Sequence, residues 1–307
     1  MNIKHKAYIY LLATTSIWGG LYVASKFVMD SVPPFTLLFL RYFIAVIILY
    51  FIYRIGKHEK IQKEDYKYII AIGFIGYFLG IGLQLLGTHL CNASLASLIN
   101  SINPVIIVIL AIPILKEKVT LHKIIAVGVT VIGAIIIVGH VDGESAIIGV
   151  FVSMGSVIAW SLSSVLVRFV SKKYDSLTIT MYGMGLAVVF AFPTSMIELV
   201  IKQTTWPVIT PVFLLALIYI IVISTSFSLL LWNKALSMVD AATCSLFYPV
   251  QPFVSTLLGV LLLDEVITKN FVIGGVFITC GILYAILMDT RKPCINKTST
   301  EILGKEK

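Results

Sequence analysis

The sequence predicts an all-α integral membrane protein with ten transmembrane helices, arranged as two inverted repeats of five around a central cavity. The first observation is composition: mean hydropathy is +1.00, with 59% hydrophobic and only 12% charged residues. A soluble chain would carry about a quarter charged residues. The second observation is that one residue pattern occurs twice along the chain. Because each copy holds an odd number of spans, the second copy enters the membrane in the opposite direction.

Ten apolar stretches are long enough to cross the hydrocarbon core, which takes about 20 residues each. They lie near residues 7–28, 35–53, 68–87, 95–115, 122–139, 146–168, 177–200, 212–232, 241–263 and 270–288. Residues 1–140 are predicted to form the first five-helix repeat and residues 146–288 the second. Residues 289–307 are polar, and we predict a disordered cytoplasmic tail.

The duplicated pattern falls at matching places in the two halves. Trp18 and the segment Lys26-Phe27-Val28 return 142 residues later as Trp160 and Arg168-Phe169-Val170. A second set returns at an offset of 148 residues, in which Ala93, Pro104 and Glu117 are matched by Ala241, Pro252 and Glu265. Inverted repeats of this kind are typical of alternating-access transporters.

The net charge of +8 is a topology signal because the basic residues are unevenly distributed. Counted from a cytoplasmic N-terminus, 19 of the 23 Lys and Arg residues fall on the cytoplasmic side. The four on the other side are Lys26, Arg41, Lys202 and Lys269. This bias predicts a multi-pass protein of the bacterial inner membrane with both termini in the cytoplasm. It argues against nucleic acid as a partner, and leaves the lipid bilayer and a small-molecule solute.

Several spans carry polar or aromatic residues on one helix face, and these residues are the candidates for the cavity lining. The candidates are Trp18, Tyr22, Arg41, Gln84, Asn100, Ser101, Trp232 and Tyr248. For the third and eighth spans the alternative is plain helix packing, since small residues such as Gly76 recur every three or four positions there. For the first span, Trp18 and Tyr22 lie deeper than an interfacial aromatic belt would place them.

Pro104 and Pro252 are predicted hinges inside the fourth and ninth spans. A proline inside a helix removes one backbone hydrogen bond and frees a carbonyl group. At membrane depth such a carbonyl is tolerated only beside protein groups or a wet cavity. A purely structural kink is the alternative.

Charged residues within the spans narrow the class of solute. Arg41 lies about six residues into the second span, where an ionisable group suggests binding, gating or a structural partner. All 15 Asp and Glu residues fall in loops or at span ends. Without a carboxylate at mid-membrane, neutral, zwitterionic or anionic solutes are favoured over cations exchanged for protons.

Glu117, Glu265 and Lys269 are possible gate ion pairs, because they lie at the ends of the fourth and ninth spans or just beyond them. Glu265 and Lys269 are four residues apart, and the predicted topology puts Glu117 and Glu265 on opposite sides. Ordinary solvated helix ends are the alternative for all three.

Catalysis is not expected from this sequence. The five histidines lie near span ends or in loops, and no HExxH or GxSxG motif occurs. The four cysteines are scattered without a metal-ligand spacing. We therefore predict no catalytic residues, no metal and no cofactor. A receptor or scaffold function would not explain why the predicted kinks occur in both halves. The oligomeric state is left open between a monomer and a homodimer.

The motif set resembles the drug/metabolite transporter superfamily, specifically its ten-helix EamA-type members. The matching residues are Trp18-Gly19-Gly20 with Lys26, Pro34 with Arg41-Tyr42, Asn92-Ala93 with Pro104 and Glu117, and Asp240-Ala241 with Pro252 and Glu265. The resemblance implies an inner-membrane carrier with a central cavity, often an exporter of amino acids or related metabolites. The chain lacks the membrane-embedded Glu of the four-helix multidrug relatives. An importer of a metabolite, vitamin or sugar-like solute remains the alternative, with an intramembrane enzyme behind it.

Overall fold

A computed structural model describes residues 3–56, 58–116, 121–138, 144–202 and 209–290. Within these ranges the chain is helical and has no strand, as predicted. Eight helices there are long and apolar enough to cross a membrane, and two further apolar helices occupy the predicted fifth and tenth spans. Residue 117, a predicted gate, and tail residues 291–307, predicted to be disordered, lie outside the described residues.

The first repeat comprises α1 (Ile3–Met29), α2 (Pro34–Ile55), α3 (Tyr66–Ala71), a π-helix π1 (Ile72–Gly80), α4 (Ile81–Leu90), α5 (Ala93–Ile99), α6 (Asn103–Leu115) and α7 (Leu121–Val138). The second comprises α8 (Glu144–Val170), α9 (Ser176–Lys202), α10 (Pro211–Ile218), a π-helix π2 (Tyr219–Phe227), α11 (Ser228–Met238), α12 (Ala241–Ser245), α13 (Val250–Leu263) and α14 (Lys269–Thr290). A 3₁₀ turn precedes α3 at Lys63–Asp65, and another separates α5 from α6 at Asn100–Ile102.

Helices of one repeat pack mainly on helices of the other. The first span, α1, lies against α11 and α13, while its repeat mate α8 lies against α4 and α6. The helix α2 packs on its own mate α9, and α7 packs on its own mate α14. Exchanging the two repeats reproduces the same set of contacts. The repeats are therefore interleaved about a pseudo-twofold axis and do not form two side-by-side domains.

The third and eighth spans each contain a nine-residue π-helix at the same place in the repeat. At the end of π2 and the start of α11, the hydroxyl groups of Thr225, Ser226 and Ser228 each donate to a carbonyl oxygen five residues earlier, within π2. A widened turn changes which residues face a neighbouring helix, and π-helical turns often occur at functional sites. Duplication of the π-helix indicates that it belongs to the repeat unit itself.

The fourth and ninth spans are broken immediately before the predicted hinge prolines. Pro104 lies in the first turn of α6, and Pro252 in the first turn of α13. Proline suits a helix start because the N–H that it lacks would have no partner within the helix there. The prolines therefore begin new helices and do not bend continuous ones. Each span carries polar side chains at the break, such as Asn100 and Gln251.

The glycines of the third span allow close helix packing. A β-carbon added at Gly76 would overlap the side chain of Ser163 on α8, and one added at Gly80 would lie 3.2 Å from the backbone nitrogen of Trp160. In the first span, a β-carbon at Gly19 would lie 2.7 Å from the carbonyl oxygen of Gln251. Packing of this closeness is how helices associate within lipid. These close contacts hold the third span against α8 and the ninth span against α1.

Candidate substrate-binding cavity between the repeats

A small cavity lies where seven spans meet at the centre of the bundle. Its volume is about 30 Å³, which is room for about one water molecule. The lining residues are Trp18, Leu21, Arg41, Tyr42, Ile81, Gln84, Asn100, Ser156, Trp160, Ser224, Thr225, Leu229, Tyr248 and Gln251. Both repeats contribute to it. A solute larger than water can enter only if the surrounding helices separate.

Aromatic side chains from both repeats occupy the middle of the bundle. The rings of Trp18 and Trp160, which are repeat mates, meet edge-on with centroids 5.5 Å apart. Trp232 packs on Trp18 at 5.3 Å and on Tyr248 at 5.0 Å. Edge-to-face and offset contacts of this kind are favourable beyond the area that they bury. The cluster closes the middle of the molecule and can be opened only by moving the spans that carry it.

The polar atoms of the aromatic side chains also link different spans. Trp18 Nε1 donates to the carbonyl oxygen of Ser224 at 3.2 Å. Trp160 Nε1 donates to the hydroxyl group of Tyr248. Each of these hydrogen bonds joins two different spans. Each therefore breaks when its two spans separate.

The structure brings five of the eight sequence-predicted candidates to the cavity wall, namely Trp18, Arg41, Gln84, Asn100 and Tyr248. The other three lie one layer behind. Gln84 Nε2 donates to the hydroxyl group of Tyr22 at 2.5 Å, so Tyr22 orients a lining residue. Ser101 is fully buried, and Trp232 supports the aromatic cluster. Contact with a solute stays a prediction for all eight.

Sequence reasoning missed several lining residues. Trp160 could have been found, because it is the repeat mate of a candidate, and Gln251 could have been found beside Pro252. Thr225 lines the cavity together with its neighbour Ser224 because both lie in π2. No residue pattern in this span predicts a π-helix.

Polar side chains satisfy the break in the fourth span. Asn103 Nδ2 donates to the carbonyl oxygen of Asn100 at 2.8 Å, and the hydroxyl group of Ser161 on α8 donates to Asn103 Oδ1 at 2.8 Å. A backbone carbonyl exposed by the break therefore has a partner, as burial in lipid demands. The hydrogen bond from Ser161 thus joins this segment to the second repeat, and Asn100 within the segment lines the cavity.

We call the end of the bundle at which α1 begins the proximal end, and the opposite end the distal end. At the distal end, Glu265 reaches across to the start of α5. Its Oε1 accepts from the Ala93 N–H at 2.8 Å, and its Oε2 accepts from the Ser94 N–H at 3.2 Å and from the Ser94 hydroxyl group. We call this contact the distal latch. A carboxylate is favoured at a helix N-terminus by the unpaired N–H groups and the helix dipole.

The backbone at the end of α13 directs Glu265 into this position. Asp264 ends the helix with φ 52°, and Lys116 ends α6 at the matching place with φ 55°. The left-handed conformation costs a side-chain-bearing residue about 1–2 kcal/mol. Lys269 is exposed, and among the described residues no ion pair joins it to Glu265. The carboxylate binds the backbone of the other repeat.

The repeat-mate cations Lys26 and Arg168 have equivalent partners. Lys26 Nζ donates to the carbonyl oxygen of His89 at 3.3 Å, at the distal end of α4. Arg168 Nη1 donates to the carbonyl oxygen of Leu236 at 2.8 Å, at the proximal end of α11. Cations are favourable there because the last carbonyl groups of a helix lack partners within it. Both residues therefore cap helices and do not face the cavity.

At the proximal end, the loop after α2 contacts the loop before α9, and we call this contact the proximal seam. His58 Nδ1 lies 3.1 Å from Asp175 Oδ2, and Lys173 Nζ lies 3.0 Å from Asp65 Oδ2. The hydrogen bond to Asp65 raises the pKa of Lys173. Partial burial alone would raise the pKa of Asp175, but hydrogen bonds from Thr178 and His58 leave it below its usual value. The Lys173–Asp65 ion pair and the His58–Asp175 hydrogen bond join the two repeats.

Interleaved inverted repeats, broken spans and a polar cavity between the repeats are typical of a membrane transporter. The chain belongs to the EamA-like transporter family, whose profile matches residues 5–139 and 147–287. The two matches correspond to the two five-helix repeats.

Sequence similarity to other proteins extends over nearly the whole chain. The chain is 24% identical to the "Uncharacterized transporter YoaV" of Bacillus subtilis over 90% of its own length and 95% of that protein. It is 25% identical to an "Uncharacterized transporter" of Archaeoglobus fulgidus, over 90% and 97% of the two chains. A crystal structure with 19% identity has a TM-score of 0.73 and covers 94% of this chain and 100% of its own; it supports the fold alone.

Proposed function

We propose that this protein is a secondary carrier that exports small metabolites, amino acids or related neutral or zwitterionic solutes, across the bacterial cell membrane without changing them chemically. The observation that carries this proposal is the polar cavity at the junction of the repeats. Both repeats line it, and two broken spans contribute Asn100 and Tyr248. Alternating access requires such a site together with elements that can separate on either side of it.

The proposed cycle opens the two ends in turn. The excess of Lys and Arg on that side favours a cytoplasmic position for the proximal end. In the proposed cycle the distal latch of Glu265 keeps the external side closed, and the proximal seam keeps the cytoplasmic side closed. Breaking the proximal seam would admit solute, and breaking the distal latch would release it.

Glu265 is the proposed external gate residue. Its carboxylate is half-buried and joins α13 of the second repeat to α5 of the first. Because both helices belong to broken spans that line the cavity, their separation exposes the solute site. The hinges in this proposal are the starts of α6 and α13, marked by Pro104 and Pro252. Lys269 has no part in the latch.

A deletion strain and a strain overproducing the protein provide the test. Untargeted metabolite comparison of cytosol and medium is expected to reveal one solute class that accumulates inside deletion cells and returns to the medium on re-expression. Proteoliposomes with the purified protein are then expected to exchange that solute across the membrane. Faster uptake with no efflux phenotype would instead assign import. The absence of any protein-dependent flux in either assay would refute the carrier function.

A further inference from the structure

Arg41 is a buried cation without a counter-charge in the described structure. Its side chain lines the central cavity and the residue is only 3% exposed. Nε donates to Thr225 Oγ1 at 2.8 Å, and the guanidinium carbon lies 5.5 Å from the ring centre of Tyr42. Nη1 is buried without a hydrogen-bond partner. Thr225 thus holds one edge of the guanidinium group, while the Nη1 donor on another edge has no partner within the described ranges.

The lining of the cavity supplies no negative charge, since it contains neither Asp nor Glu. A buried charge without a partner is strongly unfavourable, and a donor without an acceptor adds to that cost. Arg41 also breaks the internal symmetry. Thr36 at the start of α2 matches Thr178 at the start of α9 at the 142-residue offset, so the place equivalent to Arg41 is taken by Gly183. The repeat architecture does not require this cation.

The neighbouring π-helix orients the guanidinium group. Thr225 Oγ1 donates to the carbonyl oxygen of Ile220 at 2.6 Å, which leaves its lone pairs to accept from Arg41 Nε. The same π-helix places Ser224 on the cavity wall. A second free donor, Trp232 Nε1, is buried in the aromatic cluster behind Trp18. Two donors without a partner among the described residues, Arg41 Nη1 and Trp232 Nε1, therefore lie at the centre of the molecule.

We propose that Arg41, positioned by Thr225, is the subsite for a carboxylate group of the transported solute. This inference rests on the proposed carrier function and narrows it: the solute carries a carboxylate, and neutral sugar-like or purely amine solutes are not transported. Guanidinium presents planar N–H donors that match carboxylate geometry, and such charge-assisted bonds are among the stronger ones in proteins. The solute supplies the negative charge that the cavity wall lacks.

Thermal unfolding of the purified full-length protein with matched ligands tests this proposal. The ligand panel is each natural amino acid, its carboxamide, its decarboxylated amine and its deaminated acid. At least one carboxylate-bearing series is expected to stabilise the protein, and its carboxamide and amine are expected to bind at least tenfold more weakly. Equal stabilisation by acid and amide, or stabilisation by sodium chloride in place of the acids, would overturn the carboxylate subsite.

Arg41→Gln is the decisive variant, and Arg54→Gln is its matched control, because Arg54 is exposed on the same helix. Arg41→Gln is expected to abolish stabilisation by the acid while raising the melting temperature of the empty protein, because an unpaired buried charge is removed. Arg41→Lys is expected to keep part of the affinity, and Arg54→Gln all of it. Ligand stabilisation that survives in Arg41→Gln would overturn the proposal.

Transport assays separate this inference from the carrier function. If wild-type proteoliposomes carry a solute and Arg41→Gln carries it equally well, the subsite is refuted while the carrier function stands. If the wild-type protein carries no solute of the panel or of the metabolite comparison, both the subsite and the carrier function are refuted. Loss of flux in Arg41→Gln alone, with Arg54→Gln normal, is the result we expect.

Discussion

Replacing Glu265 by alanine is expected to open the distal end of the bundle. The carboxylate accepts three hydrogen bonds from Ala93 and Ser94 across the repeats. A hydrogen bond to a charged group contributes about 1.5–3 kcal/mol. Since Glu265 is half-exposed, we expect the whole latch to contribute on the order of 2 kcal/mol, a shift of about 30-fold towards the externally open state.

Cys91 offers a natural reporter of this opening. It is buried at the end of α4, immediately before the helix that Glu265 caps. In protein that retains Cys91 alone, Glu265→Ala is expected to raise the labelling rate by a membrane-impermeant maleimide added outside cells. Glu144→Ala is the control, because that exposed glutamate begins α8 at the same end. Unchanged labelling in Glu265→Ala would show that the contact does not hold the end closed.

Gly76→Ala is expected to be the most damaging single-methyl change in the bundle core. The added β-carbon would overlap the side chain of Ser163 on α8, so π1 and α8 would have to move apart. Overpacking of this kind typically costs about 1–3 kcal/mol. We expect a lower melting temperature and reduced transport, because Gly80, the next contact on the same face, lies against the backbone of Trp160 beside the cavity.

A second change on the facing helix should reverse that loss. Gly76→Ala combined with Ser163→Gly removes the overlap and is expected to recover most of the stability. Gly185→Ala is the control, because no atom lies within 4 Å of its added β-carbon. If Gly76→Ala alone melts like the wild-type protein, or if the double variant is no better than the single one, close packing of π1 on α8 is not essential.

The helix count followed from hydropathy, and the two-repeat fold from the duplicated residues. The ninth span, expected at residues 241–263, begins with α12 at Ala241 and ends with α13 at Leu263. Lipid-exposed helices must bury their backbone polar groups in hydrogen bonds within the helix, so long apolar runs leave few alternatives. The breaks before Pro104 and Pro252 were likewise marked by residue type.

The π-helices and the partner of Glu265 could not be read from the sequence. In π1 and π2 nearly all faces are apolar, so periodicity cannot distinguish a widened turn from an ordinary one. A glutamate four residues before a lysine suggests an ion pair, which is why Lys269 was considered. Glu265 instead binds backbone N–H groups of α5, and every residue except proline carries that donor. Tertiary geometry alone therefore decides which N–H groups Glu265 binds.

The aromatic centre was partly predictable. Trp18 and Trp160 were recognised as repeat mates, and side chains related by a pseudo-twofold axis meet wherever that axis passes between them. Arg41 was identified as an intramembrane charge, but its position beside Thr225 depends on π2. Arg41 breaks the repeat symmetry, and this is one reason for proposing it as the carboxylate subsite.

Accessibility of a single cysteine at Ser156 tests the central claim most directly. Ser156 is buried on α8 and lines the cavity. In protein whose natural cysteines are replaced, Ser156→Cys is expected to react with impermeant reagents applied to either side of the membrane, and Glu265→Ala should increase the share from outside. Reaction from one side only, whatever the variant, would contradict a cavity that opens to the two compartments in turn.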